Sequence, residues 1–234
     1  EYTVMIYRNE EDKLKNLTPL ESEDVDYEGS GDTIIIMIDQ YPRIGASVFE
    51  ELKNYPDKTI IFQGNDYSLE FKASDLAGRV IPSTEIYDFR MSFSPPDEQE
   101  DAIWDIIESR SGNDDLTSSR VVMAYFPHHG SLPATAILHM SIGKRYGNET
   151  IYWHYYNEER DRIDYYGPVQ TNAQGTFAVK IDHFSTYVMT ERHSIVGAEL
   201  RVGETTLAPD GGFLNDAADI VKVNPSTGAA KECK

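Results

Sequence analysis

A histidine, a bulky apolar residue and a serine stand in a row at His183-Phe184-Ser185. A serine oxygen attacks a peptide carbonyl when a base takes its proton and the target bond is strained. Here His183 would be the base, Ser185 the nucleophile and the Phe184 carbonyl the target. The same residues have a structural use, with Phe184 in a core, Ser185 ending a strand and His183 bonded to nearby backbone. Strain decides between the two, and a sequence does not display strain.

Other side chains invite chemistry more weakly. His128-His129 is followed by Gly130, so a loop bearing solvated histidines is expected. Zinc there would need His139 or His154 to converge on the pair, and no metal is expected. Tyr152, Trp153, Tyr155, Tyr156, Tyr165 and Tyr166 offer flat rings on which a sugar stacks. Strand alternation puts Tyr152, His154 and Tyr156 on one face, and Trp153 and Tyr155 on the other. One set belongs in a core, and the other is the candidate ligand platform. Asp24, Asp26, Asp114 and Asp115 lack the spacing of a calcium loop and read as solvated charge. The chain contains no phosphate loop, dinucleotide fingerprint or Gly-x-Ser-x-Gly elbow, and no cofactor is expected.

The elements that must position these residues are mostly strands. Residues 151–156 are β-branched and aromatic, 157–162 form a polar turn, and 163–166 resume the sheet. Asn172-Ala173-Gln174-Gly175 turns the chain again, with Gly175 able to supply positive φ. Phe177, Val179 and Ile181 then alternate with Thr176, Ala178 and Lys180, the period of a half-buried strand. Upstream, 59–62 and 67–71 flank Gln63-Gly64-Asn65-Asp66, a hairpin signal. Further strands are expected at 33–38, 79–82, 86–93, 120–126, 134–141 and 198–202. Two helices are expected, at 47–53 with Ser47 as its N-cap, and at 97–109 with acids first and Ile103, Trp104, Ile106 and Ile107 grouped towards one face. The expected fold is mainly β, an antiparallel β-sandwich with one or two inserted short helices. The expected divisions are 1–115, 116–195 and a short strand and tail over 196–234, with 111–119 as the linker.

Charge narrows the partners. The chain has 40 acidic and 21 basic residues, a formal charge of −19. The acids concentrate at 1–30 and 97–115, while 116–190 holds six of each sign. Phosphate recognition needs clustered Lys and Arg, so nucleic acid is not an expected partner. No apolar run approaches the length of a membrane span, so no membrane insertion is expected. The single cysteine, Cys233, allows neither an intrachain disulfide nor a cysteine zinc site. The sequence opens at Glu1 with no leader ahead of it, as expected of a mature or excised chain.

Two blocks carry a family resemblance. The first is 48–53 with 58–71 and Ser74-Asp75-Leu76. The second joins 132–146 to 151–157 and 176–188, with Tyr155-Tyr156-Asn157-Glu158 and the ending His183-Phe184-Ser185-Thr186-Tyr187-Val188. Together they resemble a β-rich extracellular module of clostridial and ruminococcal cell-surface and secreted proteins, over roughly 45–190. The chain departs from that pattern at Thr186, where the family often has an acid, and at Trp153-His154. The resemblance implies an extracellular β-rich module attached to larger surface proteins, and it implies no catalytic activity; the expected partner is an extracellular protein or polysaccharide. His183-Phe184-Ser185 also resembles the triplet cut in self-cleaving β-sandwich domains, the GAIN domains of adhesion receptors among them. Asn224-Pro225-Ser226-Thr227-Gly228 resembles a variant of the cell-wall sorting signal, though only 229–234 follows where an apolar span and basic tail belong. The expected function is therefore a structural, adhesive or interaction module of a bacterial surface. A carbohydrate-binding module and a self-cleaving domain are the alternatives.

Overall fold

The computed structural model describes residues 18–29, 31–111 and 121–191, together with the strand segments 201–202, 205–206, 221–223 and 230–232. The described chain is mainly β, with mixed sheets and a few short helices, consistent with a β-sandwich-like fold. Its strands are β1 Thr33–Met37, β2 Arg43–Gly45, β3 Thr59–Gln63, β4 Tyr67–Lys72, β5 Ile86–Asp88, β6 Val121–Ser141, β7 Thr150–Asn157, β8 Arg162–Gln170 and β9 Thr176–Thr190. Its helices are α1 Ala46–Leu52, α2 Ala73–Leu76 and α3 Asp97–Ser111. Two small antiparallel hairpins follow, Arg201–Val202 with Thr205–Thr206 and Val221–Val223 with Ala230–Glu232. The chain divides into two compact units, the first made of Glu1–Ser94, Ala124–Thr150 and Val169–Thr186, the second of Pro95–Met123, Ile151–Pro168 and Tyr187–Lys234.

In the first unit the strand order is β1-β3-β4-β6-β9. β1 and β3 are parallel, with Ile34 opposite Ile60 and Ile36 opposite Phe62. β3 and β4 form the expected hairpin, with Ile60 opposite Phe71 and Phe62 opposite Leu69. Alternation puts Ile60, Phe62, Leu69 and Phe71 inside, because side chains of a strand change face at every residue. β4 then pairs antiparallel with β6, Leu69 opposite Leu138. α1 lays Val48, Phe49 and Leu52 on this face. The Phe49 ring lies 5.2 Å from Phe71, 5.4 Å from Tyr87 and 5.7 Å from Phe62. Such tilted and edge contacts add about 0.5–1.5 kcal/mol each beyond area burial.

In the second unit the order is β6-β9-β7-β8. α3 covers this sheet with Ile103, Ile106 and Ile107, which pack with Val121, Met123, Tyr156, Ile163 and Val188. The grouped isoleucines of the sequence are its buried stripe, and Asp97, Glu98 and Glu100 sit in the first turn, where the helix dipole favours them.

Four local expectations are corrected. The strands expected at 120–126 and 134–141 are one strand, and His128-His129 lies within it rather than in a loop. Gly130 takes φ +137 there, a conformation open to glycine that lets the ladder bend without ending. No strand forms at 79–82, where Val80 is 94% exposed and Pro82 has no N–H to donate. The strand expected over 86–93 ends at Asp88, and beyond it only Ser92 bridges to Tyr125. Ser47 is not the cap of α1. Gly45 holds that position, and the Ser47 hydroxyl instead accepts from Ser22 N at 2.9 Å and donates to Glu21 Oε2 at 2.5 Å.

Candidate functional site

The triplet sits inside β9, not at its end. From Phe184 to Thr190 every residue of this strand is buried. Phe184 stacks on Phe126 at 4.4 Å and 11°, and meets Phe89 edge-on at 5.5 Å and the His128 ring at 6.0 Å. The sequence places an apolar residue at 184 because this position faces an aromatic cluster. Ser185 is 6% exposed. His183 Nδ1 lies 2.8 Å from Asp182 Oδ1, an exposed pair on the preceding residue. Positive φ among non-glycine residues occurs at Asn148 and Asp161, outside β9, so the triplet carries none of that form of backbone strain.

The aromatic candidates divide. Trp153 is 2% exposed and stacks on Tyr187 at 4.5 Å and 21°. Tyr156 belongs to the α3-covered core, where its hydroxyl donates to Asp161 Oδ1 at 2.9 Å. Burial, and then that carboxylate, push the Tyr156 hydroxyl up to about 12. The simple two-face reading of 152–156 therefore fails: Trp153 and His154 are adjacent, point to opposite faces and are both buried. His154 is held there by a 3.0 Å bond between its Nδ1 and Val188 O.

What stays open is the terminal strand β8. Tyr165 is 40% and Tyr166 50% exposed. Tyr166 lies 5.1 Å from the half-buried Tyr155, their planes 33° apart, and Tyr165 lies 5.2 Å from the His154 ring. Tyr152 is half-buried on β7. A polar rim adjoins the rings, with Arg162 Nε 2.7 Å from Asp164 Oδ1, and Asn157 Nδ2 donating to Asp164 Oδ2 at 3.3 Å and to the Tyr155 hydroxyl at 3.2 Å. Burial, then the Asp164 bond, raise the Tyr155 hydroxyl above its usual range. A pair of tilted rings beside a carboxylate, an amide and a guanidinium can stack an apolar surface and bond its polar edge.

The histidines do not gather. His128 Nε2 is 3.9 Å from Glu85 Oε1, His139 Nε2 is 3.3 Å from Glu70 Oε2, and the His129 ring lies 5.9 Å from that of Tyr125. Burial lowers the His128 pKa, partly offset by Glu85 and Asp88. Among the described residues no three or more His, Cys, Asp or Glu side chains cluster as a metal site. Asp24 and Asp26 accept from the backbone of Glu21 and Gly29. Asp114, Asp115, Asn224, Pro225, Thr227 and Gly228 lie outside the described residues.

Sequence reasoning missed a cleft of about 400 Å³ in the first unit, bordered by residues of 37–42, 63–67 and 90–93. Its one trace in the sequence was the polar hairpin turn Gln63-Gly64-Asn65-Asp66. No protein family, curated protein or solved structure matches the chain.

Proposed function

We propose that the chain is a non-catalytic module of a bacterial cell-surface or secreted protein, with a structural, adhesive or protein-interaction role. The observation that carries this reading is the contrast between two sets of side chains. The reactive-looking triplet is committed to packing, with Phe184 inside an aromatic cluster and Ser185 within a buried strand. Tyr165 and Tyr166, by contrast, are left open on a terminal strand beside Arg162. Tyrosine and arginine are the residue types that protein interfaces concentrate. No helix among the described residues is long and apolar enough to cross a membrane. The extracellular setting rests on the resemblance carried by 45–190.

A second reading, saccharide binding, is favoured by the tilted Tyr155–Tyr166 pair, 5.1 Å apart, with the half-exposed Tyr166 ring offering a face for stacking. One experiment addresses both. The full chain is passed over immobilised extracellular matrix proteins and insoluble polysaccharides, beside a Tyr165→Ala, Tyr166→Ala double variant. Retention on a protein surface that falls about tenfold or more in the variant supports the first reading, and the same pattern on a polysaccharide supports the second. Retention on neither surface, or retention that the variant leaves unchanged, overturns the role given to β8.

A further inference from the structure

The missed cleft lies where β1 and β3 end. These strands are parallel neighbours, paired from Thr33 with Thr59 to Met37 with Gln63, so their carboxyl ends finish side by side. Beyond them the backbone turns away. Tyr41 N donates to Met37 O at 3.0 Å, and Gly64 N donates to Tyr67 O at 2.9 Å. In open α/β sheets the hollow outside the carboxyl ends of parallel strands holds ligands, and β1 and β3 supply one such pair of ends within this mixed sheet. A volume of about 400 Å³ lies within the range of small-molecule sites.

The lining of the cleft is of two kinds, which meet where Met37 pairs with Gln63. One is apolar, with Met37 39% and Phe93 37% exposed. The Tyr67 ring borders it, though only 7% exposed, with its hydroxyl committed to Phe89 O at 2.5 Å. The other wall is made of Asp39, Gln63, Asn65 and Asp66. Gln63 Nε2 donates to Gly64 O at 2.7 Å and to Tyr67 O at 3.2 Å, which leaves its amide oxygen to accept. Arg90, the basic residue of the lining, is gripped by both oxygens of Asp88 at 2.5–3.0 Å, so its charge is balanced within the protein.

We propose that this cleft binds a neutral saccharide. A pyranose ring has an apolar C–H face suited to Phe93, Met37 and the Tyr67 ring. Its adjacent hydroxyls match planar carboxylates and amides, which accept and donate in pairs. An anion would meet two carboxylates and a chain of charge −19. A metal cation is not favoured either, since among the described residues no three or more His, Cys, Asp or Glu side chains gather as a metal site. The proposal rests on the saccharide reading above for its class of partner, but puts the ligand at a different place. Gly64 keeps the site open. A Cβ there would lie 2.3 Å from Tyr67 Cε1, so any side chain would push the ring out of the wall.

The test is amide chemical-shift mapping of the ¹⁵N-labelled full chain with glucose, galactose, mannose and N-acetylglucosamine at millimolar concentration. Glucuronate and lysinamide serve as charged arms. The expected result is a saturable shift of the amides of Asp39, Gly64, Asn65 and Asp66 with at least one neutral sugar. Asp66→Asn should weaken it about tenfold or more while leaving the remaining spectrum in place. Gly64→Ala should abolish it, and that loss counts only where the variant's spectrum is that of the folded chain. No shift of these amides with any neutral sugar overturns the proposal, as does a shift confined to glucuronate or lysinamide. Sugar-induced shifts confined to 152–166 would overturn the cleft yet support the tyrosine surface, and shifts at neither place would remove both.

Discussion

If Phe184 is a packing residue, its truncation should act on stability as a core deletion does. Phe184 is 2% exposed, so Phe184→Ala removes a whole ring from a closed site. Three ring contacts go with it, the 4.4 Å stack on Phe126 and the edge contacts with Phe89 and His128. Losing a buried phenylalanine costs about 3–5 kcal/mol, transfer and cavity together. Domains of this kind have only about 5–15 kcal/mol in hand, so the alanine variant should be severely weakened. Phe184→Leu keeps most of the apolar volume and forfeits chiefly the aromatic pairing, so about 1–2 kcal/mol is expected. Urea unfolding followed by far-ultraviolet circular dichroism, comparing midpoints at constant slope, gives both numbers. An alanine cost below about 1 kcal/mol would refute the packing argument. So would a leucine variant as weak as the alanine one, since the graded loss is what the ring geometry requires.

Further outcomes follow from other sites. The His128 side chain is 12% exposed, and its folded pKa is lowered by burial below the ordinary 6.5. As pH falls through that value the unfolded chain takes up a proton that the folded chain resists, so stability declines on acidification, by at most about 1.4 kcal/mol per pH unit. His128→Gln should remove that component, seen as a flatter stability profile below about pH 6.5 than the parent's. An identical profile would contradict it. Gly175→Ala forces an alanine to φ +76, with a Cβ 2.0 Å from Gly143 O; a loss of more than about 1 kcal/mol by urea titration is expected. Trp153→Ala should cost about 3–5 kcal/mol and Tyr166→Ala about 1 or less, since one ring is 2% exposed and the other 50%. Equal costs would show that the division of the aromatic residues drawn above is mistaken.

The sequence made the β3–β4 hairpin legible because a two-residue period and a polar turn act together there. Ile60, Phe62, Leu69 and Phe71 needed no distant information to be placed inside. α3 was legible for a similar reason, its isoleucine stripe following acids at the N-terminus. The 151–156 strand was legible as a strand but not in its faces. Periodicity assigns residues to two sides of a sheet, and it does not say that both are covered. Trp153 is covered by Tyr187, while His154 on the other side is closed off and bonded to Val188 O. The run through His128-His129-Gly130 looked like a loop because glycine often ends strands, and a φ of +137 at Gly130 let this one continue. The cleft was invisible because it is assembled from three turns about 25 residues apart, each unremarkable alone. The triplet 183–185 was visible at once, yet what it packs against was not, since Phe126 on β6 and Phe89 just past β5 are far away in sequence.

Whether this chain cuts itself shows most plainly in the intact mass of the purified protein. After prolonged incubation at neutral pH and denaturation, the account predicts one species of 26.5 kDa, in the parent and in Ser185→Ala alike. Two fragments meeting between Phe184 and Ser185 in the parent, absent from Ser185→Ala, would contradict it.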